Sequence, residues 1–257
     1  MPQQYNQFLT RIKHKLGIDL TLYKETQMKR RIISLRNKRG FRDFASYYRA
    51  LEKDDLLLKE FTKRLTINVS EFYRNPKRWD VLKESIIPIL IDNKRKLNIW
   101  SAACSTGEEP YSVAMLFNEY FPHIKINIIG SDIDNVVLTQ AKQGCYHEQS
   151  LKNLPDRFKN NYFTYENGLY HVNRSIKQMV SFKKHNLLAD PYPNNIDLIL
   201  CRNVLIYFTD EAKEKIYQSF SESLNDKGVL FVGSTEQIFN AEKYHLQLIK
   251  TFFYQKK

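Results

Sequence analysis

Apolar residues recur at three- and four-residue intervals along the first part of the chain and in short continuous runs thereafter. Tyr5, Phe8, Leu9, Ile12 and Leu16 line one side of a helix that Gly17 can end. Met28, Ile32, Ile33 and Leu35 mark a second helix stopped at Gly40, and Phe44, Tyr47, Tyr48 and Leu51 a third. The leucine-rich stretch 56–65 makes a fourth. Short amphipathic helices bury their apolar sides only against one another, so residues 1–72 are expected to form an all-α bundle domain. Residues 73–92 then read as a linker helix, opened by Pro76 at a first helical position and reaching Pro88.

From Leu97 onward the pattern changes. Runs at 97–103, 126–130, 179–186, 196–201 and 228–233 read as buried strands, and 112–120, 135–143 and 210–224 as helices between them. That alternation predicts a parallel sheet covered by helices over residues 93–257. It fails from about residue 146 to 178, where Leu154-Pro155 and Asn167-Gly168 signal turns and Gly168-Leu169-Tyr170-His171-Val172 suggests a hairpin. A small inserted β subdomain is expected there. Leu246, Leu248, Ile249 and Phe252 to Tyr254 form two short apolar groups suited to terminal antiparallel strands.

Composition narrows the class. No apolar run approaches the roughly 20 residues needed to cross a bilayer, and the amphipathic start is unlike a signal peptide, so a cytoplasmic location is expected. Cys104, Cys145 and Cys201 share no CxxC spacing, which suggests neither a disulfide framework nor a metal site. The formal net charge of +12 implies attraction to something acidic. Between Lys24 and Arg49 nine basic residues, Arg30, Arg31, Arg36, Lys38 and Arg39 among them, face only Glu25 and Asp43.

The candidate chemistry sits in the loop after the first strand. Trp100-Ser101-Ala102-Ala103-Cys104-Ser105-Thr106-Gly107-Glu108-Glu109-Pro110-Tyr111 passes from an apolar run through small residues and a glycine into a helix. In an open α/β sheet, ligands lie beyond the carboxyl ends of the strands, and small residues let the backbone approach them. Gly107 alone makes neither a dinucleotide fingerprint nor a P-loop. Asp132 and Asp134 end the second strand, where one carboxylate can accept both hydroxyls of a ribose and the other cap the next helix.

Taken with these, Asn68-Val69-Ser70-Glu71-Phe72-Tyr73-Arg74, Asn186-Leu187-Leu188 and Cys201-Arg202-Asn203-Val204-Leu205-Ile206-Tyr207-Phe208 make the chain resemble the chemoreceptor glutamate O-methyltransferases of bacterial chemotaxis, which use S-adenosylmethionine. The resemblance implies a helical domain, then a Rossmann-like class I methyltransferase domain with a small β subdomain inserted. It implies that Asn68, Ser70, Arg74, Glu109, Asp132 or Asp134, Asn186, Leu187, Asn203 and Val204 hold the cofactor. Arg74 suits a two-pronged contact with the methionine carboxylate, and Asn186 suits the adenine edge. Tyr207 is the candidate for positioning the methyl group or the acceptor carboxylate. Arg30, Arg31, Arg36 and Arg39 are candidates for contacting glutamate-rich receptor helices.

No metal, no nucleic-acid partner and a monomer are expected. Two rivals compete. A nucleic-acid methyltransferase would suit the charge, but the segment after the strand Asp197-Leu198-Ile199-Leu200 lacks the Asn/Asp-Pro-Pro-Tyr/Phe type that holds a flipped base. A non-enzymatic basic helical adaptor with a degenerate cofactor fold would suit the bundle but leave Arg74, Asp132 and Asn186 without work.

Overall fold

Helices α1 (Pro2–Leu16), α2 (Glu25–Lys38), α3 (Phe44–Lys53) and α4 (Asp55–Leu65) each bury apolar residues, and α3 and α4 meet α1 around Phe8 while α2 packs on α4. The Phe8 ring lies 5.2 Å from Phe44, 5.9 Å from Tyr47 and 5.9 Å from Phe61. Aromatic pairs at such distances add to what area burial alone contributes. Asp43 starts α3 by accepting the Ser46 N–H at 2.7 Å. The computed structural model describes residues 2–65, 70–92 and 94–257. Two units result, Met1–Asn68 with Ile206–Ile216, and Val69–Leu205 with Tyr217–Lys257.

Residues 206–216 join the helical unit by backbone pairing. Tyr23 forms an antiparallel bridge with Phe208, Lys24 N–H donates to Tyr207 O at 2.9 Å, and Thr209 N–H donates to Leu22 O at 2.9 Å. The Tyr23 and Phe208 rings meet edge to face at 4.9 Å.

The second unit opens with α5 (Pro76–Val81), a π-helical turn (Leu82–Ile86) and α6 (Ile87–Leu90). Pro88 has no N–H for the Glu84 carbonyl, and a π turn just before it re-routes the hydrogen bonds. The expected single helix is therefore interrupted, and it runs on past Pro88. Then come β1 (Lys96–Ala102), α7 (Glu108–Tyr120), β2 (Lys125–Asp132) and α8 (Asn135–Gln143). A three-stranded antiparallel sheet of β3 (Cys145–Tyr146), β4 (Phe163–Glu166) and β5 (Leu169–Val172) follows, with α9 (Asp156–Tyr162) inside it and α10 (Arg174–Lys177) after it. The chain returns through β6 (Val180–Lys184), β7 (Ile196–Cys201), α11 (Asp210–Ser223), β8 (Leu224–Val232), β9 (Leu246–Lys250) and β10 (Phe253–Lys256).

The main sheet has the order β6-β2-β1-β7-β8-β10-β9 among the described residues, parallel from β6 to β8, with β10 antiparallel to β8 and β9. Every residue of β7 is buried, as a parallel strand covered on both faces requires. The chain runs from β1 to β2 on one side and later places β7 on the other. The carboxyl end of β1 is thus a topological switch point, the kind of place where open α/β sheets in general bind ligands.

Gly107 closes the loop there. Its φ is +93°, and a Cβ at this position would sit 2.9 Å from the Ala141 Cβ. Both backbone conformation and space demand glycine.

Candidate functional site

The loop between β1 and α7 takes its shape from small residues in unusual conformations. Ala103 and Ser105 have φ of 58° and 50°, a left-handed backbone that costs about 1 kcal/mol or more per non-glycine residue. Three bonds hold it: Cys104 N–H to Ser131 O at 2.8 Å, Ser105 N–H to Asp132 Oδ2 at 2.9 Å, and Tyr146 OH to Thr106 O at 2.7 Å. Such strain, over-determined by its surroundings, is the signature of a functional loop.

The two aspartates after β2 are placed differently. Asp134 accepts the Val136 N–H at 2.8 Å and so caps α8. Asp132, 6% exposed, accepts from Ser105 N–H through one oxygen and from Asp134 N–H at 3.0 Å through the other. Burial pushes the Asp132 carboxyl up to about 6, with the backbone donors opposing.

A buried charge network lies beside this loop. Glu109 Oε1 accepts from Ser101 Oγ at 2.8 Å, and its Oε2 is 3.3 Å from Arg202 Nη1. Burial raises the Glu109 carboxyl, and the Arg202 cation is the chief influence against it. Arg202 also donates through Nη2 to Arg74 O at 2.7 Å and to Asn75 Oδ1 at 3.3 Å. Its guanidinium lies 4.6 Å from the centre of the Phe231 ring. Arg74, half-buried, stands between Tyr73 (φ 53°) and Asn75 (φ 61°), so a second strained turn presents it. Ser70 bonds to Glu108, whose carboxyl burial raises.

Asn186 uses its Oδ1 to accept the Leu188 N–H at 2.9 Å, while its own N–H donates to Asp190 Oδ2 at 2.8 Å. Leu187 O accepts the Tyr192 hydroxyl at 2.8 Å. Because His185 N–H donates to Asp132 O at 2.9 Å, the Asn186-Leu187 turn is tied to the end of β2. After β7, Asn203 has φ of 61° and Val204 is half-buried. Ser105 Oγ and Asn203 Oδ1 are buried without a hydrogen-bond partner among the described residues. Buried polar atoms rarely stay unpaired, which makes these two candidates for contact with a polar ligand.

The model of the "CheR methyltransferase, SAM binding domain" matches residues 68–253, and that of the "CheR methyltransferase, all-alpha domain" matches residues 3–66. The chain belongs to the CheR methyltransferase family. A "Chemotaxis protein methyltransferase" of Listeria innocua serovar 6a is 43% identical over 257 residues, covering 100% of this chain and 98% of that one. One from Listeria monocytogenes is 42% identical over 257 residues, with the same shares of 100% and 98%. One from Escherichia coli strain K12 is 32% identical over 246 residues, covering 90% of this chain and 83% of that one.

This CheR-family chain is thus an enzyme, a methyltransferase dependent on S-adenosylmethionine, rather than an adaptor. The α/β unit brings Ser70, Arg74, Glu109, Asp132, Asp134, Asn186, Leu187, Asn203 and Val204 into one fold, seven of them in or beside the turns leaving β1, β2, β6 and β7. Asn68 lies outside the described residues. Tyr207 falls in the helical unit, half-buried, with its carbonyl held by Lys24 N–H.

Among the basic residues of α2 and its C-cap, Arg31 donates to Leu65 O at 2.7 Å, and the capping Arg39 donates through Nε to Glu60 at 2.7 Å. Arg36 bonds to Asn37 and lies over the Phe44 ring at 4.7 Å. Arg30 and Lys38 are exposed.

Sequence reasoning missed Arg202 and Glu236 as parts of the site. The available signal was a charge set directly after the buried strand β7, and an acid three residues past the glycine that follows β8. No described helix is long and apolar enough to cross a membrane, and no cluster of three or more metal-binding side chains occurs among the described residues.

Proposed function

We propose that this enzyme methylates glutamate side chains of chemoreceptors, forming glutamyl methyl esters that adjust receptor signalling in chemotaxis. The full-length similarity to relatives named chemotaxis protein methyltransferase carries this reading. The test is incubation with labelled S-adenosylmethionine and receptor-containing membranes. Label released by mild base supports a carboxyl ester; label that resists base, or appears on nucleic acid instead, overturns it.

The residues suit the cofactor. Arg74 supplies a cation for the methionine carboxylate, Glu109 a negative charge for its ammonium group, and Asp132 an acceptor for the ribose hydroxyls. The turn at Asn186 and Leu187 offers the adenine edge a polar and an apolar side, and Ser70, Asn203 and Val204 complete the cradle. Ser105 Oγ and Asn203 Oδ1, buried and unpartnered among the described residues, favour a ligand rich in donors. When bound, S-adenosylmethionine supplies an electrophilic methyl group, taken by a carboxylate oxygen as the C–O bond forms and the S–C bond breaks. A glutamate with an ordinary pKa of about 4.3 is already ionised near neutrality, so the protein needs no general base. Its work is to hold the two reactants in line and exclude water.

Asp132 gives the pH dependence its sign. For folding, a carboxyl raised to about 6 contributes stability present below its unfolded value and lost as pH rises through about 6. For binding the sign reverses, because ribose hydroxyls favour the ionised form. Affinity for S-adenosylhomocysteine is expected to fall as pH drops through about 6, by at most about tenfold per unit, and Asp132→Asn to flatten the profile. Calorimetric titrations between pH 5 and 8 check this.

Tyr207 is assigned to positioning the reacting groups. Tyr207→Phe is expected to lower kcat while leaving S-adenosylhomocysteine affinity unchanged; unchanged turnover removes it from the site. The basic face of α2 is assigned to receptor docking, with Arg30 and Lys38 as its available charges and Arg31, Arg36 and Arg39 holding the helical unit together as well. Charge steering raises encounter rates and weakens with salt. Arg30→Glu with Lys38→Glu is expected to raise KM for receptor several-fold and flatten its salt dependence, with cofactor affinity untouched. Steady-state kinetics at two salt concentrations decide.

A further inference from the structure

Glu236 stands on the loop after β8 and is 4% exposed. Its Oε2 accepts the Asn203 N–H at 2.7 Å and the Gly233 N–H at 2.8 Å. Asn203 needs such an acceptor. Its left-handed backbone turns the chain away from β7 at the point where the N–H would otherwise be left in the interior without a partner, and an unmade buried bond is costly. Gly233 supplies the space. A Cβ there would lie 2.3 Å from Glu236 Oε2 and 2.7 Å from Asn203 N, so glycine is required by proximity rather than by φ.

The carboxylate thus reaches across from one strand end to fix the backbone at the next. The residue it fixes carries one of the two unpartnered buried oxygens named above, Asn203 Oδ1. We infer that Glu236 is a positioning residue: it holds the Asn203 turn so that the side-chain amide faces the cofactor, and it does so by reach rather than by charge. This rests on the reading that Asn203 borders the cofactor. One oxygen takes both bonds, and a glutamine oxygen at the same distance can do the same. An aspartate keeps the charge but falls one methylene short.

The experiment measures S-adenosylhomocysteine binding by calorimetry for wild type, Glu236→Gln, Glu236→Asp and Glu236→Ala, with circular dichroism to establish folding. Expected are affinities within about threefold of wild type for Gln and at least about tenfold weaker for Asp and Ala, the scale of one or two lost hydrogen bonds. Normal binding by Glu236→Ala, or normal binding by Asp with loss in Gln, overturns the inference. Should Glu236→Ala not fold, the Gln and Asp pair carries the same decision. A wild type that binds no S-adenosylhomocysteine overturns instead the cofactor reading on which this one stands.

Discussion

Arg202→Met is expected to destabilise the α/β unit by about 3 to 5 kcal/mol, the usual cost of removing one partner from a buried ion pair. The Arg202 side chain is 2% exposed and that of Glu109 15%, so neither is rescued by water when the other goes. Methionine keeps most of the volume against Trp79 and Phe231 but returns neither the charge nor the donors. Glu109 then keeps the Ser101 bond in a site whose burial already favours its neutral form. The Arg74 carbonyl loses its shorter bond, at 2.7 Å, and retains the one from Trp79 Nε1 at 3.1 Å.

Urea unfolding followed by tryptophan fluorescence measures this cleanly, because both tryptophans, Trp79 and Trp100, lie in this unit and are buried. Adding Glu109→Gln to the variant removes the stranded carboxylate and is expected to recover part of the loss. A loss below about 1 kcal/mol would mean that the pair is no more than an exposed salt bridge in effect.

The second large effect is on binding. Arg74→Ala is expected to weaken S-adenosylhomocysteine binding by about 1.5 to 3 kcal/mol, the scale of hydrogen bonds to a charged group, with little change in stability. The fold survives because the backbone of this turn is held independently of the side chain. Its carbonyl takes bonds from Arg202 and Trp79, and the preceding Tyr73 N–H donates to Ser112 Oγ at 3.2 Å. Arg74→Lys is expected to recover only a fraction, since a point charge lacks the planar fork that matches a carboxylate. Calorimetric titration of a variant with an unchanged unfolding midpoint checks both, and unchanged affinity in Arg74→Ala would remove this residue from the cofactor site.

What the sequence made legible was local. The three-to-four-residue spacing around Phe8 and Tyr47 marked the helices, and the apolar run 196–201 marked a strand buried on both faces. Small residues from Ala102 to Gly107 marked the loop at the switch point. What stayed hidden depends on residues far apart in the chain. Glu109 meets Arg202, and Glu236 meets Asn203, only because β1, β7 and β8 are adjacent in the sheet, and no short-range pattern encodes strand order. The tail was legible as two antiparallel strands, but that the later one, β10, pairs with β8 and leaves β9 outside it was not. The π turn before Pro88 was missed because periodicity reads a helix through it, whereas the missing N–H forces a different bond pattern.

The strand-like pairing of Tyr23 with Phe208 has a consequence for synthesis on the ribosome. The four helices emerge before the sheet, yet residues 206–216 that belong to the same unit are translated only after β1, β2, β6 and β7. At about 5 to 20 residues per second, the wait between Tyr23 and Phe208 is roughly ten to forty seconds. During that interval the residues that the Leu22 carbonyl and the Lys24 N–H pair with, Thr209 and Tyr207, have not yet been made. The four helices can collapse early around Phe8, but this unit closes only after most of the α/β sheet has already been made. Its folding is therefore tied to completion of the nascent chain, and a polypeptide stalled before residue 206 carries a helical bundle with one side unsealed.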